Sequence, residues 1–166
     1  AQESRGLGDV YKRQLSDIYS AEKQLTKALP RLARAAENPD LAAAFETHLE
    51  ETQGQIERID QVVEVLGIRL KRIKCAAMEG LVEEGKEVID SIDKGPVRDA
   101  ALIGGAQKVE HYEIASYGTI AALAKQLGYK DALPLLLETL EEEKATDEKL
   151  TLLAKGGGNA KAAQAA

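Results

Sequence analysis

The chain has 166 residues, enough for one domain with a sizeable core. Its 22 Lys and Arg against 28 Asp and Glu give a formal net charge of −6, and no basic block appears, which argues against nucleic acid as a partner. No apolar run reaches the about 18 residues of a membrane-spanning helix, and no charged-then-apolar signal pattern opens the chain. The lone Cys75 excludes an internal disulfide, so the expected location is the cytoplasm.

The chain opens on a stretch that joins no apolar stripe. Glycines at 6 and 8 interrupt it, and Asp9-Val10-Tyr11-Lys12-Arg13-Gln14 resembles the translation of a transposase adapter. Residues 1–14 are therefore read as a non-native or flexible extension, and 15–154 as the domain. A first helix is predicted over 15–36, with Ile18, Glu22, Leu25, Leu29, Leu32 and Ala36 on its inward face. Pro30 should kink it or loosen its last turn. Asn38-Pro39 ends it and starts a second helix over 39–66, whose inward face is Phe45, Leu49, Thr52, Ile56, Ile59, Val63 and Leu66. His48, Glu51 and Gln55 line one margin of that face, while Glu50 points outward. Gly67 is the left-handed residue that closes the helix.

A third helix is expected over 71–93, stopped by Gly95-Pro96, and a fourth over 97–127, stopped by Gly128. The fourth carries Ile103, Gln107, Glu110, Ile114, Tyr117, Ala121 and Ala124 inward, with Glu113 at the margin. The fifth, over 132–154 with Asp131 as its cap, presents Leu136, Leu140, Glu143, Asp147, Leu150 and Ala154. Residues 155–166 are rich in Gly, Ala and Lys and read as a flexible tail. No segment reads as a strand, so the class is all-α.

Glu22, Glu51, Glu110 with Glu113, and Glu143 thus sit on or beside inward faces, where aliphatic residues are expected. Glu22 and Glu51 are 29 residues apart and Glu113 and Glu143 are 30 apart, so two antiparallel hairpins bring the carboxylates to about one height. The third helix, about 35 Å long at about 1.5 Å per residue, returns the chain along the bundle between them. The result is a ferritin-like four-helix bundle of two hairpins joined by a crossover helix. Crowded buried carboxylates repel and protonate unless cations neutralise them. Two iron or manganese ions suit these hard oxygen donors. His48, Gln55 and Asp147 are lesser candidate ligands, because the Glu-x-x-His expected on two helices is absent. His48 also reads as a core-edge histidine and His111 as a surface one. Tyr19, Tyr112 and Tyr117 fall within two turns of the proposed ligands, and Cys75 reads as a small buried hydrophobe.

Leu15-Ser16-Asp17-Ile18-Tyr19-Ser20-Ala21-Glu22-Lys23-Gln24-Leu25 resembles the opening helix of the bacterial YciE/YciF family. So do His48-Leu49-Glu50-Glu51-Thr52, Ala77-Met78-Glu79-Gly80-Leu81, Val109-Glu110-His111-Tyr112-Glu113 and Glu141-Glu142-Glu143-Lys144-Ala145-Thr146-Asp147. The resemblance covers 15–154 and implies a ferritin-like fold, a di-metal centre, a homodimer and a link to stress responses. Glu110-x-x-Glu113 is also similar to the third bundle helix of rubrerythrins, but their Cys-rich iron site and two ligand histidines are missing. The leading expectation is a di-iron ferroxidase, or a protein that consumes O2 or H2O2 in stress protection. The alternatives are a non-catalytic helical bundle with a structural or interaction role, and an iron-storing cage.

Overall fold

A computed structural model describes residues 6–165, and these are all-helical, with no strand among them. Helix α1 spans Leu7–Ala35, α2 Pro39–Leu66, α3 Ala76–Ser91, α4 Pro96–Leu127, α5 Leu133–Leu153 and α6 Asn159–Ala165. The punctuation follows local chemistry. Asn38 precedes Pro39 and accepts a hydrogen bond from the Asp40 amide at 2.8 Å. Gly67 and Gly128 close α2 and α4 at φ 61° and 75°, a conformation that side chains with a Cβ rarely adopt.

The four long helices form a closed ring of contacts: α1 packs along α2, α2 along α5, α5 along α4, and α4 along α1. Helix α3 lies outside this ring, across α1 and α4. The core is aliphatic, with Leu15, Ile18, Leu25, Leu41, Ile120 and Leu136 fully buried around Phe45 and Tyr117. At the foot of α4, Asp99 accepts the amides of Glu37 and Asn38 at 2.8 and 2.9 Å, pinning the α1–α2 turn to the start of α4.

Four expectations change. Helix α1 starts at Leu7 rather than 15, because Tyr11 is buried and meets the Tyr129 ring edge-on, with centroids 5.1 Å apart. The extension read over 1–14 is therefore helical from Leu7, while residues 1–5 lie outside the described part. Helix α3 starts at Ala76 rather than 71. The stretch before it runs along α1, where Ser16 and Ser20 hydroxyls accept the amides of Lys71 and Cys75, each at 2.9 Å. Gln24 adds a bond to the Cys75 carbonyl at 3.1 Å. Backbone groups held in this way leave a first turn nothing to bond with, so the helix waits until Cys75 caps it. Asp131 does not cap α5. That place belongs to Ala132, within a turn closed on the Tyr129 carbonyl. Beyond Ala154 the chain is not an open tail: it turns at Gly157, φ 130°, and α6 folds back against α4. Gly158 lies so close to the Leu153 carbonyl that a Cβ there would meet its oxygen at 2.8 Å.

Candidate metal centre

The middle of the helical ring is polar. Glu22 of α1, His48 and Gln55 of α2, Glu110 and Glu113 of α4, and Glu143 of α5 are all buried, as is Tyr117. One ligand-type atom from each of His48, Glu110, Glu113 and Glu143 lies within 4.8 Å of the others. Glu22 completes the group from the α1 side, facing Glu113 and Glu143. Neither carboxylate oxygen of Glu22, Glu113 or Glu143 has a hydrogen-bond partner, and the Tyr117 hydroxyl has none either. The His48 Nε2 stands 2.7 Å from Glu110 Oε1, an ion-pair distance without hydrogen-bond angles. Two donor atoms that close could share one ion lying to the side of both, at ordinary metal–ligand distances of about 2.0–2.2 Å.

Electrostatics describe the same crowding. Burial, then the neighbouring Glu143 charge, pushes Glu22 up to about 8. Burial, followed by Glu143 and Glu22, holds Glu113 far above the usual carboxylate range. Glu143 is raised by burial and by Glu110. Burial opposes charge on His48, yet Glu110 and Glu51 outweigh it and hold the imidazole well above its ordinary value. Tyr117 is pushed up by burial and by the charges of Glu22, Glu113 and Glu143. A divalent cation would reverse these shifts at once, since it favours the deprotonated carboxylates and the neutral imidazole. Carboxylate oxygens with one imidazole form a donor set for a first-row divalent metal. The buried His/Glu cluster could therefore hold a metal ion.

Not every candidate residue joins it. Glu51 is a third exposed, and accepts from Thr146 at 3.2 Å with His48 Nδ1 3.7 Å away, so it flanks the cluster. Gln55 is inside, with its amide donating to Glu142 at 3.2 Å and its carbonyl free. Asp147 meets the exposed His111 Nε2 at 3.1 Å through Oδ2, while its Oδ1 is buried without a partner. The reason lies in how α2 and α5 are rotated. Helix α2 buries Ala44, His48, Gln55 and Val62, leaving Leu49 and Val63 half-buried, so its margin becomes its centre. Helix α5 buries Thr139 and Thr146 beside Glu143, which leaves Asp147 half-buried at the margin.

Two constellations escape a periodicity reading. Arg58 donates to both Glu142 oxygens at 2.5 and 2.9 Å, to Glu138 at 3.0 Å and to Thr139 at 3.1 Å, binding α2 to α5 beside Gln55. Its signal is the Glu138-x-x-x-Glu142 pair opposite a lone arginine. Tyr112 donates to Asp17 at 2.5 Å and lies 3.1 Å from the Cys75 sulfur, joining α1, α4 and the start of α3.

The family described as a domain of unknown function, DUF892, matches residues 6–163. Protein YciF of Escherichia coli is 66% identical over 157 residues, which cover 94% of this chain and 95% of that one. The crystal structure of the E. coli stress protein YciF superposes with a TM-score of 0.90 over 93% of this chain and 98% of that one. YcfI of Rhodopseudomonas palustris is 45% identical, with a TM-score of 0.85 over 91% of this chain and 96% of that one. No described helix is long and apolar enough to cross a membrane. The span of the family match and the identity to YciF place the chain in the DUF892 family.

Proposed function

We propose that the chain is a ferritin-like four-helix bundle, with α1–α2 and α4–α5 as antiparallel hairpins and α3 as the crossover, that binds two iron ions and oxidises them. One observation carries this reading: the three buried carboxylates Glu22, Glu113 and Glu143 offer six oxygens with no protein partner. Unpaired buried acids are costly, and cations are the partners such a group accepts. His48 and Glu110 would serve one ion, and Glu22 the other. Glu113 and Glu143, which interact with both ends of the group, would be shared between them. Glu51 and Asp147 remain candidates at the margin and Gln55 one inside, and manganese is the alternative metal.

As substrates, two ferrous ions supply the two electrons that reduce O2 to H2O2, or H2O2 to water. The chain contributes the rest. Its carboxylates release their protons when the ions arrive, and the aliphatic core keeps bulk water away. The Tyr117 hydroxyl, buried without a partner, would be free to donate to a ligand oxygen. A homodimer is the proposed assembly, on the resemblance to YciE/YciF proteins, and size-exclusion chromatography separates it from a storage cage.

The test is an anaerobic Fe(II) titration followed by air or H2O2. Two irons per chain, oxidised faster than in buffer alone, are expected. Protein that binds no iron, or binds it without accelerating oxidation, sinks the oxidase and leaves a structural bundle.

A further inference from the structure

Next to the carboxylate group lies a small cavity, with room for the centre of a water-sized sphere over about 20 Å³. Its walls are Leu25 and Leu29 of α1, Phe45 of α2, Val109 of α4 and Leu150 of α5, and its inner end is formed by His48 and Glu110. The placement follows from the helices. Leu25 and Leu29 follow Glu22 by one and two turns. Ala44 and Phe45 precede His48 by one, Ala106 precedes Glu110 by one, and Leu150 follows Glu143 by two. The cavity is thus the layer immediately beside the buried acids, on one side of them only. At its outer lip stands the exposed Lys149.

Away from His48 and Glu110 the walls of this narrow pocket are apolar, so a water there gains few hydrogen bonds, whereas xenon and other apolar guests lose none. A polar oxidant such as H2O2 would lose most of its hydration between the apolar walls. Dioxygen is apolar, diatomic and uncharged, and loses almost nothing. We infer that this cavity is a docking site for dioxygen, which delivers it to the His48–Glu110 end of the metal centre. The inference rests on the oxidase reading for its purpose, but not for its physical content.

Xenon reports on the cavity without any metal. In crystals of the metal-free protein under xenon pressure, density is expected between Leu29, Phe45 and Leu150. In the iron-loaded wild type, xenon should slow oxidation by O2 several-fold and leave oxidation by H2O2 at its former rate. Ala44→Leu, which pushes a larger side chain into the same space, should do likewise without xenon while binding the same amount of iron. The wild-type competition needs no variant, so a misfolded Ala44→Leu does not rescue the idea. Absent xenon density overturns the cavity as an apolar site. Equal slowing of both oxidants, or slowing of neither, overturns its role in delivering dioxygen. Wild-type protein that oxidises no iron with either oxidant removes the oxidase reading and the oxygen assignment together, and xenon uptake would then mark a packing void alone.

Discussion

Glu142 and Glu143 are neighbours on α5 with opposite fates. Glu142 is partly exposed and held by the Arg58 guanidinium, which also reaches Glu138. Glu143 is buried among Glu22, Glu110 and Glu113, and both its oxygens lack a partner. The first group pairs its acids with a cation of the chain itself. The second has one imidazole for four carboxylates, and must take protons or cations from outside. A bundle that carries both solutions one residue apart shows that the unpaired group is not for want of an arginine at that level. Protein-internal pairing holds α2 against α5, whereas the open group is left to take up protons or cations.

The largest contrast comes from replacing a member of each group. Glu113→Gln removes one of the crowded acids and leaves an uncharged side chain of similar shape. Iron stoichiometry should fall by at least one ion per chain, while the metal-free protein, in which burial already keeps Glu113 protonated, should change by no more than about 1 kcal/mol in denaturant melts. Unchanged stoichiometry would mean that Glu113 is no ligand. Glu110→Ala should likewise abolish binding of at least one iron, and parent-like binding and oxidation by that variant would displace α4 from the centre of the chemistry.

Titration sharpens the comparison. Glu22 keeps its proton up to about 8 in the metal-free fold, against an ordinary 4.5. Because the folded value is the higher one, its contribution to stability is complete below 4.5 and is lost as pH rises towards 8. Metal ions need the deprotonated form, so the loaded protein follows the opposite trend. The difference in melting temperature between iron-loaded and EDTA-treated protein should be wide near pH 8 and shrink towards pH 5. A difference that grows on acidification would contradict a carboxylate-held metal.

Arg58→Ala tests the paired group. It should cost about 1 kcal/mol, as a partly screened bidentate pair does, and leave the iron count intact. Loss of iron on that change would make the two groups one. The smallest effect is expected for Glu50→Ala on the exposed side of α2, within about 0.5 kcal/mol of the parent in stability and equal to it in iron oxidation.

The carboxylate group was legible to different degrees. Glu22, Glu110 and Glu143 occupy positions in a 3.6-residue stripe where Leu or Ile belongs, and periodicity alone exposes them. Choosing between His48 and Glu51 was beyond it. They stand one turn apart on a margin, and packing of Ala44 and Val62 rotates α2 just enough to bring the imidazole inside. The late start of α3 was hidden for another reason: Ser16 and Ser20, which capture its upstream amides, lie on a different helix. Tyr11 repeats that lesson, since the ring that buries it, Tyr129, follows α4.

Asp99 ties the halves of the chain in a way that bears on how they come together. The amides of Glu37 and Asn38 cannot be shielded by their own three-residue turn, because their acceptor sits at the start of α4. Hydrogen–deuterium exchange at those two amides therefore reads the docking of the second helical pair onto the first, and not the formation of either. During refolding they should gain protection after the α2 interior amides, making the shortest link in the bundle one of the last to be sealed.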